Sequence, residues 1–200
     1  MSSVLKGIIG FVMDILETIV FVGAMFIVVN YYILQPSQVR GSSMLPTLHD
    51  NDRIFVSRVT YKFREPERGD IVVLYSPENK EIEFVKRVIG LPGDVITIDN
   101  CEPPFRTNCE LRVNDVPLEE AYIKDATQLF DSSPYTEGQS IRIPDDSLFV
   151  MGDNRTGSLD SRVFGPVKIA DIVGVVFFRY FPQNQIGKIV NPYTQDLTTH

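Results

Sequence analysis

A single long apolar stretch near the N-terminus is followed by seven short runs rich in β-branched and aromatic residues, each bounded by Gly, Pro, Asn or Asp. No segment after residue 36 sustains a helical period beyond a turn or two. These observations predict a mainly β protein: one N-terminal transmembrane helix, then an antiparallel β-sheet domain carrying a small inserted subdomain. The chain of 200 residues is 44% hydrophobic and 22% charged, enough for one such anchored domain.

The apolar stretch comes first. Thr18 to Leu34 is free of charge, and Ile15 and Leu16 lengthen it to a span of about 15–34. Tyr31 and Tyr32 suit a membrane interface. Only Lys6 charges the region before it positively, and no small-x-small pair separates the run from Pro36-Ser37-Gln38-Val39-Arg40; Val22-Gly23-Ala24 lies inside the run. The segment 1–35 therefore reads as an uncleaved single-pass anchor rather than a signal peptide. Lys6 favours an inside N-terminus.

From residue 36 onward the expected strands are Ile54–Val59, Ile71–Tyr75, Phe84–Ile89, Val95–Ile98, Leu111–Val113, Ser147–Met151 and Ile172–Tyr180, with turns at Gly69-Asp70, Pro92-Gly93-Asp94 and Gly165-Pro166. A core built from about 36–99 and 141–190 accounts for them. The Pro-rich middle, about 100–140, is the insertion, in which Glu119–Leu129 has room for a short helix. Cys101 and Cys109 lie within it. In an oxidising compartment they would close the Pro-Pro-containing loop as a disulfide; two free thiols are the alternative. Two cysteines without neighbouring histidines do not make a metal site, and no cofactor motif is present.

A net charge of −7 argues against nucleic-acid binding, which wants a basic face. The only histidines are His49 and His200. His200 ends the chain, and His49 follows Ser43 too closely to face back onto its hydroxyl. A hydrolase built on Ser43, which sits in the turn Gly41-Ser42-Ser43-Met44-Leu45-Pro46, thus needs another base, and serine–lysine pairs are an established variant. Lys86 lies among Phe84, Val85, Val88, Ile89 and Leu91, and strand alternation puts it on the face of Phe84 and Val88. Free lysine is neutral in only about one molecule in a few thousand at pH 7. An apolar surface with no carboxylate partner would lower its pKa by desolvation.

The Ser43 turn, the stretch Phe84-Val85-Lys86-Arg87-Val88-Ile89-Gly90-Leu91-Pro92-Gly93-Asp94 and the block Met151-Gly152-Asp153-Asn154-Arg155-Thr156-Gly157-Ser158-Leu159-Asp160-Ser161-Arg162 follow one another behind the anchor. In this order they resemble the type I signal peptidase family of membrane-tethered Ser–Lys proteases. The resemblance implies Ser43 as nucleophile and Lys86 as general base, with the Ser43 backbone N–H in the oxyanion hole. Ser158 would hydrogen-bond the Lys86 amine, and Asp160 and Arg162 would pair and brace the site, while Asp153 and Asn154 shape the turn. Many relatives carry a serine two residues before the nucleophile, where this chain has Gly41.

The resemblance also implies a catalytic domain on the extracytoplasmic face of the cell membrane. Its partners would be exported preproteins cut after Ala-x-Ala-like residues, the substrate strand adding to an exposed edge. Met44, Leu48, Phe84 and Val85 would line shallow pockets for small side chains. Ile54-Phe55-Val56, with Tyr61 and Phe63, is a candidate for that edge or for a surface resting on membrane lipid, with Arg53, Arg58, Lys62, Arg64 and Arg68 near anionic headgroups. The alternatives are a specialised Ser–Lys processing peptidase for one exported substrate, and a silent membrane-anchored domain that binds peptides. A self-cleaving regulator would carry a DNA-binding domain where this chain has its apolar run.

Overall fold

The computed structural model describes residues 3–28 and 33–193. Tyr31, Tyr32, His200 and the side chain of Lys6 lie outside the described residues.

Helix α1 (Ser3–Val28) is exposed along its described side chains, and its stretch Gly7–Val28 is long and apolar enough to cross a membrane. At 1.5 Å per residue its 22 residues span about 33 Å, close to the hydrocarbon thickness of a bilayer. The helix therefore lies N-terminal to the expected span of about 15–34. The charge-free criterion stopped at Glu17, whereas the backbone stays helical through Asp14 and Glu17. At the other end, Leu34 is already a strand residue, paired with Ser57.

Twelve strands follow among the described residues: β1 (Leu34–Gln38), β2 (Arg53–Ser57), β3 (Ile71–Tyr75), β4 (Glu83–Gly90), β5 (Val95–Asp99), β6 (Glu110–Val113), β7 (Val116–Pro117), β8 (Ile141–Arg142), β9 (Ser147–Met151), β10 (Val167–Lys168), β11 (Ile172–Phe181) and β12 (Gly187–Lys188). The large antiparallel sheet runs β1-β2-β11-β3-β4-β9-β10, with β12 beside β11. A smaller sheet, β7-β6-β5-β8, joins two strands of the insertion, β6 and β7, to β5 and β8 on either side of it. Two single-turn helices, α2 (Thr60–Phe63) and α3 (Ser161–Phe164), cap loops.

Alternation along β4 distributes its residues to two cores. Val85 pairs with Val73, on the side where Val39, Met44, Leu48, Ile54 and Val56 are buried. Lys86 pairs with Val72, on the side of Leu74, Val88, Val150 and Val175. A third cluster joins the sheets through Ile89, Ile96, Ile98, Leu111, Ile143, Phe149 and Met151.

Two local expectations change. Ile54-Phe55-Val56 is not an edge: β2 lies between β1 and β11, with Ile54 and Val56 fully buried and Phe55 stacked on Tyr180 at 4.5 Å. The edge is β1. Glu119–Leu129 forms no helix, because its polar groups are spent on tertiary contacts that a helix would turn away: Thr127 O accepts from Cys109 N, and Glu120 reaches Arg155. As expected, Cys101 and Cys109 form a disulfide rather than remaining free thiols.

Candidate active site

Ser43 follows β1 in a turn held from three sides. Gly41 takes φ of 92°, a left-handed conformation in which serine would be strained, and its N–H donates to Asp50 Oδ1 at 2.8 Å. That accounts for glycine at this position. Met44 and Leu48 are fully buried beneath the turn, and Leu48 N–H donates to Met44 O at 2.9 Å. The third side is remote in sequence: Asn154 N–H donates to Ser43 O at 3.0 Å, and Asn154 Nδ2 donates to Ser42 O at 3.1 Å.

Gly152 explains how closely these segments meet. A Cβ there would lie 2.3 Å from Ser158 Oγ and 2.4 Å from Ser43 O, so only glycine fits. Gly152 directly follows Met151, the register partner of Arg87, and Lys86 precedes Arg87. The Ser43 turn and Ser158 thereby meet at one glycine, one residue beyond the register partner of Arg87. Ser158 Oγ is buried without a hydrogen-bond partner among the described residues, so the expected bond to the lysine amine is not made in this arrangement.

Lys86 is 3% exposed. Burial lowers its pKa to about 8; the Asp160 charge opposes that shift, Arg162 reinforces it, and Asp153 opposes it weakly. Its Nζ lies 5.4 Å from the Phe84 ring centroid, and Phe84 stacks on Phe164. Asp160 pulls less than a bare carboxylate would, because it is already bonded. Arg162 Nε donates to its Oδ1 at 2.9 Å and Arg162 Nη2 to its Oδ2 at 2.7 Å, while Gly152 N–H donates to Oδ2 at 3.0 Å. Burial alone would raise this carboxyl, but the Arg162 charge and these bonds hold it below the usual carboxylate range. Asp160 also caps α3, accepting from Arg162 N–H.

Two further buried arginines, which reasoning from sequence missed, complete the frame. Arg87 Nε and Nη2 donate to Asp153 Oδ1 and Oδ2 at 2.8 and 2.6 Å, Nη1 donates to Gly69 O at 3.0 Å, and Thr47 Oγ1 donates to Asp153 Oδ2 at 2.5 Å. Asp153 thus ties β4 to the Ser43 turn rather than merely shaping its own loop. Arg155 Nε donates to Gly152 O at 3.1 Å, and its Nη1 reaches Glu120 Oε2 at 2.6 Å. The only sequence signal was the unusual density of Arg and Asp in 151–162.

A groove of about 540 Å³ opens between the end of β1 and the start of β4. Ser37, Gln38, Val39, Arg40 and Ser43 line one side; Glu81, Ile82, Glu83, Phe84 and Val85 line the other, with Ile54, Val73 and Tyr75 completing it. Phe84 and Val85 are therefore on its wall, whereas Met44 and Leu48 form the core below it, because their side chains point away from the turn's exposed face. His49 is exposed. Among the described residues, no group of three or more His, Cys, Asp and Glu is placed to hold a metal ion. A buried amine of lowered pKa has the chemistry to accept a proton from a hydroxyl brought against it.

The family model for signal peptidase, peptidase S26 matches residues 12–181. The probable signal peptidase I-1 of Synechocystis sp. is 34% identical over 170 residues, covering 82% of this chain and 79% of that protein. The signal peptidase I of Bacillus amyloliquefaciens is 35% identical, covering 88% and 92%, and the signal peptidase IB of Staphylococcus aureus is 35% identical, covering 90% and 96%. A crystal structure of a signal peptidase I from Enterococcus faecalis aligns with a TM-score of 0.42 at 37% identity, over 56% of this chain and 97% of that one.

Proposed function

The chain belongs to the signal peptidase, peptidase S26 family, and from that membership we propose that it works as a Ser–Lys signal peptidase I in which Ser43 is the nucleophile and Lys86 the general base. It is a peptidase of the signal peptidase I type, and its substrates are preproteins carrying signal peptides.

The observation that supports the Ser–Lys assignment is the burial of Lys86, whose pKa falls to about 8. At that value about one molecule in ten holds the neutral amine at pH 7, several hundred times more than for free lysine. The neutral Nζ takes the proton of Ser43 Oγ as the oxygen attacks the scissile carbonyl. The Ser43 N–H stabilises the oxyanion. Collapse expels the new N-terminus, which takes the proton from the lysine ammonium. Lys86 then deprotonates the water that releases the acyl group from Ser43.

Ser158 offers a neutral hydroxyl that, on turning to the amine, would orient it without raising its pKa as a free carboxylate would. Asp160 and Arg162 keep each other neutralised. Phe84 and Val85 form the groove wall, and the closed core of Met44 and Leu48 limits its depth, so small side chains before the cut are admitted and large ones excluded. The domain from about residue 36 lies on the extracytoplasmic face, anchored by one pass of α1 in lipid.

The test is incubation of detergent-solubilised protein with a preprotein, followed by N-terminal sequencing of the product. Ser43→Ala should abolish cleavage while leaving thermal unfolding unchanged. More than a trace of wild-type turnover in that variant would remove Ser43 from the role.

A further inference from the structure

Both backbone polar groups of Gly152, in the two amides that flank its Cα, are held by buried ionised side chains. Its N–H donates to Asp160 Oδ2 at 3.0 Å, and its carbonyl accepts from Arg155 Nε at 3.1 Å. Asp160 finds its counter-charge two residues away in Arg162. Arg155 finds its own 35 residues away, in Glu120 of the insertion. Arg155 is fully buried and the Glu120 side chain is 6% exposed. A guanidinium in such a place is tolerated only when paired, so its position depends on the carboxylate.

Glu120 is itself held. Tyr122 Oη donates to its Oε1 at 2.5 Å, and the Tyr122 ring lies 4.1 Å from the Arg87 guanidinium. Thr127 of the same segment accepts from Arg155 Nη1 at 2.5 Å. The insertion therefore reaches both arginines that flank Asp153. Gly152 leaves no room even for a Cβ, which would meet Ser158 Oγ and Ser43 O, so a shift of this residue moves its neighbours.

We propose that Glu120 is a positioning residue of the peptidase: through Arg155 it fixes the Gly152 carbonyl, and with it the seat on which the Ser43 turn and Ser158 meet. The insertion is then part of the catalytic architecture. This rests on the Ser43–Lys86 reading.

The test uses the full chain in detergent, with Glu120→Gln, Glu120→Asp, Tyr122→Phe and Thr127→Val compared by active-site-normalised kcat and KM across pH. Glu120→Gln should lower kcat by roughly 10- to 100-fold, since displacements near 1 Å at a reacting centre cost about that much. KM should stay within about twofold, because no groove residue is touched, and Glu120→Asp should recover part of the loss. The charged groups facing Lys86 are Asp160, Arg162 and Asp153. Loosening Gly152 admits water among them, so the acid limb of kcat/KM should move up from about 8 toward the ordinary lysine value.

A merely structural role would lower thermal stability and the active fraction but leave normalised kcat and the acid limb in place. That outcome overturns the proposal. Should Glu120→Gln fail to fold, Tyr122→Phe and Thr127→Val decide: severalfold lower kcat with a raised limb supports it, and values within twofold of wild type overturn it. Activity surviving in Ser43→Ala would instead sink the Ser–Lys reading, a result that none of the Glu120, Tyr122 or Thr127 variants can produce.

Discussion

Lys86, the proposed base, shows how its surroundings can move a side chain's pKa. Burial lowers its pKa to about 8, and the carboxylate near enough to undo this, Asp160, is already satisfied by Arg162 and by Gly152 N–H. The sign of the pH dependence follows. Below about 8 the amine is protonated and cannot accept the Ser43 proton, so kcat/KM should fall about tenfold per unit as pH drops, and level off above that value. Lys86→Arg should be as inactive as Lys86→Ala, because a guanidinium stays protonated at any working pH. Substantial turnover in Lys86→Arg, or a flat profile between pH 6 and 9, would show that the lysine is not the base. The burial of Lys86 and the pairing of Asp160 with Arg162 were expected from the sequence, because each sits in a recognisable local pattern. Those of Arg87, Arg155 and Glu120 were not. A charged residue in a strand or loop reads as solvent-facing, and its burial becomes visible only when the folded chain brings its partner from 35 or 66 residues away.

At the level of elements, the strands were legible wherever β-branched runs end at glycine, proline or asparagine. Ile71–Tyr75 and Ser147–Met151 match their expected bounds, and the others agree to within two residues at either end. The edge was misplaced because sheet order is not a local property: β2 and β11 are far apart in sequence yet adjacent in space, which turns an apolar run into an interior strand. Met44 and Leu48 were misread for a related reason, since a residue next to a nucleophile can face the core as readily as the groove. The junction where β9 gives way to the Ser158 loop provides the test at this scale. Gly152→Ala introduces a Cβ at 2.4 Å from a backbone carbonyl, which cannot rotate away as a side chain can. The variant should retain its β-sheet circular dichroism, lose a few degrees of thermal stability, and lose at least an order of magnitude in kcat, as overpacking a closed site costs about 1–3 kcal/mol. Wild-type kcat in Gly152→Ala would mean that the Ser43 turn and the Ser158 loop are not mechanically coupled through this residue.

Across the whole molecule, the constraint is the short path from membrane to groove. Val28 ends the membrane-length helix and Leu34 begins β1, so the sheet starts within about 20 Å of the helix end even if the chain between them is fully extended. Ser37, on the same strand, already lines the groove. If α1 spans the bilayer, the proposed active site is tethered close to the bilayer surface, where the apolar part of a signal peptide would hold the scissile bond. This argues for a domain that works on membrane-held substrates from one face. Protease added to spheroplasts should degrade residues beyond about 36 if that face is extracytoplasmic, and full protection would reverse the orientation. The tether itself can be tested by inserting about 15 Gly/Ser residues between Val28 and Leu34, which lets the domain range farther from the surface. Because the described side chains of Gly7–Val28 are exposed, the insertion should leave folding and cleavage of a short soluble peptide unchanged. Cleavage of a membrane-inserted preprotein should fall severalfold, since the effective concentration of active site at the bilayer drops with tether length. If both substrates were cut at the original rates, proximity to the membrane would have no part in substrate selection, and the short connection between α1 and β1 would be incidental to function.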